Sequence, residues 1–163
     1  MKKVFTLFLF GYLLVAQAQH QNHYSICKEV EVNSLTFRKS RGNEYRKSIE
    51  KEITQMEFTL VREPQGLRKC ILTLHYTVAS SNGFQQEEKK QEIAASYFFE
   101  LIAKLNKIDT STIREDWNVA DGITSSIAIS GENFHVQLSD NWKDDKKAAF
   151  YTLFDSVWNQ FLE

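Results

Sequence analysis

The chain has 163 residues, with 20 lysines and arginines against 21 acids, four histidines, two cysteines, one proline and six glycines, and 42% of it is apolar. That balance excludes a disordered, collagenous or polybasic chain and is ordinary for a globular protein. A chain of this length supports one domain that buries roughly two thirds of its unfolded surface, so a core is within reach without metals or many disulfides.

The first eighteen residues read as an address. Lys2 and Lys3 precede an apolar run over residues 4–15, and Ala16 and Ala18 supply the small residues that a signal peptidase requires. Cleavage is expected after Ala18, leaving a single α+β domain over residues 19–163, of which 19–25 form a flexible tail. The run falls short of the ~20 residues of a bilayer span. Cys27 lies too far beyond the cleavage point to carry a lipid anchor. The short two-lysine start is of the kind that bacterial secretory leaders have, so the expected location is the periplasm or the extracellular space.

Removing the leader takes away two lysines and no acids, which leaves 18 bases against 21 acids. A mildly acidic product has no general attraction to nucleic acid or anionic lipid, and no later stretch is apolar enough to insert into a membrane. Export also changes what the cysteines mean. In an oxidising compartment Cys27 and Cys70 are most simply a disulfide. Closing a loop of 44 residues would stabilise the fold by about 4 kcal/mol in the chain-entropy model. The alternative is two buried thiols, and neither cysteine sits in a nucleophile or redox motif.

In chain order, residues 28–37 read as a strand whose inward parity is open, and Tyr45, Ile49 and Ile53, four apart, make residues 44–53 a short helix. Met56, Phe58 and Leu60 then alternate with Glu57, Thr59 and Val61. Cys70, Leu72, Leu74, Tyr76 and Val78 alternate with Ile71, Thr73, His75 and Thr77. With Pro64, Gln65 and Gly66 between them, the two runs form an antiparallel hairpin with Cys70 turned inward. Asn82 and Gly83 could open a further hairpin, but residues 84–92 are too polar to show a period. Ile93, Tyr97, Phe98, Leu101, Ile102 and Leu105 recur at helical spacing.

A second hairpin follows, with Ile123, Ser125, Ile127 and Ile129 alternating toward a turn at residues 130–133, and Phe134, Val136 and Leu138 alternating away from it. Phe150, Leu153, Phe154, Val157, Trp158, Phe161 and Leu162 mark the last helix, expected to begin near residue 142 with Asp140 or Asn141 as its cap and Asp144 and Asp145 in its first turn. The fold class is therefore α+β: a mostly antiparallel sheet of about five strands with two long amphipathic helices, and a weaker short one, on one face. A shift of 57 positions lays one long helix on the other. An old ββα duplication would leave that alignment, and any two amphipathic helices also produce it.

No H-E-x-x-H, C-x-x-C, G-x-S-x-G, phosphate-binding loop, dinucleotide fingerprint or calcium-loop spacing occurs. No catalytic residue, cofactor or metal site is assigned, and whether the chain is an enzyme is left open, with a binding role favoured. His20 and His23 lie close to Cys27 at the new N-terminus, a spacing that suits a metal only if the segment folds back. His75 and His135 face away from the apolar side and meet only if their strands are neighbours.

Topology suggests a candidate surface that no motif does. Antiparallel pairing of the second hairpin brings the segment before it beside the segment after it. One carries Glu115, Asp116, Trp117 and Asp121, the other Asp140, Trp142, Asp144 and Asp145. Such an edge suits a basic protein partner, since indoles anchor interfaces and carboxylates steer a cationic surface toward them. The structural alternative has the two tryptophans stapling loop and helix to the core. Asp140, Asn141, Asp144 and Asp145 also offer oxygens for calcium, though not at a known spacing.

The function expected from these features is an exported, disulfide-containing binding module, such as an inhibitor or immunity protein against a basic enzyme. The alternatives are a small envelope glycan hydrolase or metal-dependent enzyme using carboxylates of that edge, and a carrier of a small apolar ligand held between sheet and helices. The oligomeric state is not encoded in any of these features.

Overall fold

The structure is a computed structural model that describes residues 31–41, 50–113, 123–141 and 147–162. Six strands form one antiparallel sheet: β1 (Val32–Ser40), β2 (Lys51–Arg62), β3 (Arg68–Ser80), β4 (Gly83–Ile93), β5 (Thr124–Gly131) and β6 (His135–Asp140). Two helices, α1 (Ala95–Leu105) and α2 (Ala148–Gln160), pack against it, with a 3-10 turn at Thr110–Thr112. The strand order is β4-β3-β2-β1-β5-β6. The first four strands are thus a meander, and the second hairpin joins it along the free side of β1. Each helix follows a hairpin that supplies one edge of the sheet.

The β2–β3 hairpin is closed by local chemistry. Pro64 and Gln65 occupy the middle of a turn in which the Gly66 N–H donates to the Glu63 carbonyl at 2.9 Å. Gly66 then takes φ +82°, the left-handed conformation that lets the Glu63 N–H reach the Leu67 carbonyl at 2.8 Å. Register runs unbroken from Arg62↔Arg68 to Gln55↔His75 and places Met56, Phe58, Cys70, Leu72 and Leu74 on the helix side.

The core lies between that face and the helices. Leu35, Phe37, Met56, Phe58, Leu72 and Ile127 meet Phe98, Leu101 and Leu105 of α1 and Phe150, Leu153, Phe154, Val157 and Trp158 of α2, all of them buried. Rings link the layers. Phe37 meets Phe58 edge-on at 5.7 Å and Phe154 at 6.0 Å, and Phe58 also lies 5.8 Å from Tyr97 and 5.9 Å from Phe161. These separations are those of favourable aromatic pairs.

Four sequence expectations require correction. The helix expected at residues 44–53 does not extend over its last residues, because β2 begins at Lys51, and residues 44–49 lie outside the described residues. A bulge between Ile53 and Gln55 puts Ile53, Met56 and Phe58 all on the inward face. That three-residue step breaks the alternation and imitates helical spacing. Second, the sheet has six strands and not about five: the further hairpin left open at Asn82 and Gly83 does form, and residues 83–93, which have no hydrophobic period, are the full-length edge strand β4, paired from Ser80↔Gly83 to Cys70↔Ile93. Most of its residues are exposed, so nothing requires an apolar alternation, while Lys89, Lys90, Glu87 and Glu88 deter pairing with another chain.

Third, α2 starts at Ala148, and neither Asp140 nor Asn141 caps it, since Asp140 ends β6. Asp144 and Asp145 lie outside the described residues. Fourth, the expected disulfide is absent: Cys70 is a free thiol with no exposure, turned into the core beneath α1. Cys27, like His20 and His23, lies outside the described residues. Burial pushes the Cys70 thiol up to about 11. No helix among the described residues is long and apolar enough to cross a membrane.

Candidate functional site

The expected acidic and aromatic edge can be followed in part. Pairing of Ser125 with Asp140 sends the chain before β5 and the chain after β6 from the same end of the sheet. Of the residues named for that edge, Glu115, Asp116, Trp117, Asp121, Trp142, Asp144 and Asp145 lie outside the described residues. Asp140 is described, and it has no exposure at all. Its Oδ2 stands 2.9 Å from Lys147 Nζ, itself buried, and its Oδ1 accepts a hydrogen bond from the Tyr151 hydroxyl at 2.8 Å. Asp140 thus ties the start of α2 to the sheet and presents no oxygen to a partner.

The two histidines do not meet, because β2, β1 and β5 separate their strands. His75 sits on the helix-free face between Glu88, 3.2 Å from its Nδ1, and Glu57, 3.8 Å from its Nε2. His135 is exposed, with Nδ1 2.8 Å from the Ser130 hydroxyl. Among the described residues no group of three or more His, Cys, Asp or Glu is arranged to hold a metal ion.

A different site lies at the other end of α2. A cavity of about 510 Å³ is lined by Lys39 and Arg41 at the end of β1, Lys51, Glu52 and Ile53 at the start of β2, Tyr76 of β3, and Trp158, Asn159 and Leu162 from the end of α2 and just beyond it. The sheet register explains the assembly. Ile53 pairs with Tyr76, Tyr76 with Glu87, and Lys39 with Ser125, so these residues share one end of the sheet. Lys39 continues the inward series Leu35 and Phe37, but there the floor is the edge of the core, so a charged tip reaches open space above an apolar stem.

Each cation has its own arrangement. Lys39 Nζ lies 5.7 Å from the centre of the Trp158 ring, which stacks on Phe154 at 5.2 Å with 12° between planes. Lys51 Nζ lies 4.5 Å from the Tyr76 ring centre and 2.8 Å from Glu87 Oε2. Arg41 Nε stands 2.8 Å from Glu52 Oε1, but its N–H is not aimed at that oxygen and, being buried, makes no hydrogen bond. Among the described residues Lys39 has an aromatic face and no carboxylate within ion-pair distance.

Trp158 and Ile53 are buried and form the back of the cavity, while Leu162 is half exposed at its rim. The floor is held by α1: the Tyr97 hydroxyl donates to Gln160 Oε1 at 2.8 Å, and Phe161 packs between the Tyr97 and Phe58 rings. Burial, with smaller contributions from Glu100 and Cys70, pushes the Tyr97 hydroxyl up to about 12, so it remains a donor. Sequence reasoning named Tyr76 and Trp158 as core positions and did not find the cavity. The readable signal was Lys39, a base occupying the inward place after Leu35 and Phe37. Compared with models of known families and with curated proteins, the chain matches none.

Proposed function

We propose that this chain is an exported binding domain that holds a small acidic ligand in the cavity at the end of α2. One observation carries the reading: Lys39, Arg41 and Lys51 converge with Trp158 and Tyr76 on a cavity of about 510 Å³. Core packing has no use for three cations there. Concave sites with apolar walls and a few converging polar groups are the common form of small-ligand pockets, and this volume falls within their range of roughly 300–1,000 Å³. Binding is favoured over catalysis because the lining, among the described residues, offers a single carboxylate, Glu52, already beside Arg41. Export rests on the leader-like residues 1–18.

The test is a nuclear magnetic resonance titration of the ¹⁵N-labelled protein with monocarboxylates, dicarboxylates and inorganic phosphate. At least one acid should shift the Lys39, Arg41 and Lys51 amides and the Trp158 indole, and the Lys39→Met, Lys51→Met double variant should lose the response. If no acid moves these signals, the reading is wrong.

A second reading, capture of a basic protein through the acidic and aromatic edge, is supported by the shared exit of the two flanks set by Ser125↔Asp140. Under this reading the Trp117→Ala, Trp142→Ala double variant keeps its far-UV circular dichroism and loses binding to a basic secreted enzyme on a sensor surface. Unchanged binding removes the edge as the contact.

A further inference from the structure

Resting on the acid-binding reading, the charge count of the cavity and the nature of its walls narrow the ligand further: we infer that it is an amphipathic monocarboxylate, one negative charge at the end of an apolar body. Two of the three cations already face acids, Arg41 with Glu52 and Lys51 with Glu87, so close to one positive charge is left over. The closing residues of α2 also border the cavity, and the carbonyl end of a helix is its negative pole, which opposes a second negative charge. A phosphate dianion or dicarboxylate would therefore enter against an unfavourable balance.

The remaining cation is Lys39, and its position is suited to exchange. An ammonium on an indole face is held weakly where water reaches it, and a carboxylate arriving at the cavity offers a stronger partner. The Arg41 guanidinium, whose side chain is 30% exposed, offers its outer N–H groups to the same carboxylate. Once the Lys39 ammonium swings to the carboxylate, the face of the buried Trp158 indole that Lys39 covers becomes free for apolar contact, since its other face is covered by Phe154. Ile53 and Leu162 extend that apolar strip toward the rim. Binding thus exchanges a cation–π contact for an ion pair and places the ligand's body on the ring the ammonium leaves.

Four probes separate the parts of this inference in calorimetric and tryptophan-fluorescence titrations of the purified protein: octanoate, octanol, acetate and inorganic phosphate. Octanoate should bind with a change in indole emission, and the other three should bind at least tenfold more weakly. Lys39→Met should weaken octanoate at least tenfold with an unchanged far-UV circular dichroism spectrum. Leu162→Ala, at an exposed rim position, should weaken octanoate several-fold and leave acetate unchanged. Phosphate binding as tightly as octanoate overturns the monoanion inference and leaves the acid-binding reading standing, as does acetate matching octanoate. Octanol matching octanoate, with Lys39→Met without effect, overturns both.

Discussion

At the start of α2 the chain buries a carboxylate and an ammonium together, with Asp140 fixed by Lys147 and the Tyr151 hydroxyl. At the far end of the same helix, Lys39 lies on the Trp158 ring beside open space. Both groups stand on the same cross-strand row, since Ser125 pairs with Lys39 on one side and Asp140 on the other. The difference is in what each charge has been given. The first end satisfies its ions internally and consumes them as structure. The second leaves an ammonium with a partner weak enough to be exchanged, which makes that end the better place to look for a ligand.

The largest expected effect breaks the internally satisfied end. Asp140→Ala leaves the Lys147 ammonium buried without its carboxylate and should destabilise the fold by roughly 3–5 kcal/mol in urea denaturation. Adding Lys147→Met to it should recover part of the loss, because the stranded charge is then gone. A loss under 1 kcal/mol for Asp140→Ala would place the pair in effective contact with water and erase the contrast between the two ends.

Alkaline pH gives the next effect, acting on the layer that joins them. The folded state holds the Cys70 proton up to about 11, whereas an unfolded thiol releases it near 9. The folded protein therefore binds the extra proton between those values. Stability is unaffected below about pH 9 and falls on the order of 2 kcal/mol as pH rises to about 11. Tyr97, pushed from 10 to about 12, acts in the same direction at higher pH. Denaturation midpoints measured from pH 7 to 11 check the sign, and Cys70→Ala should flatten the first part of the decline.

At the ligand end the stability effects are small. Lys39→Met removes one partly exposed cation–π contact and should cost less than about 1 kcal/mol. Glu87→Gln, which breaks the exposed pair with Lys51, should change stability by a few tenths of a kcal/mol at most, and less still in high salt. A large loss in either variant would mean that these charges hold the fold together, as those at the other end do.

These two ends also differ in how far they were legible in sequence. Hairpins with a period of two and a turn of known chemistry, around Gly66 and around Gly131, were read with most of their inward residues correct, though Ile123, counted in the second series, lies before β5 and is exposed. The start of β2 was not, because the bulge after Ile53 replaces the period of two with a step of three. β4 was hidden because a mostly exposed edge strand has no need of apolar alternation. The row of charges before and after the second hairpin pointed to an exposed acidic edge, yet the one of them that is described, Asp140, is buried, and charge in a sequence does not tell burial. The cavity draws its lining from four separate stretches, residues 39–41, 51–53, 76 and 158–162, so no window contains it. Only the lysine following Leu35 and Phe37 in the inward alternation marked its place.

The strand order has a consequence for synthesis. β1 to β4 form a meander that can close as soon as residues 32–93 have emerged, but the other side of β1 pairs only with β5, more than eighty residues later. Through that interval the backbone donors and acceptors beside Leu35 and Phe37 stand open, flanked by two of the most apolar side chains of the core. A nascent or truncated chain ending before residue 124 is therefore a half-sheet with an adhesive margin.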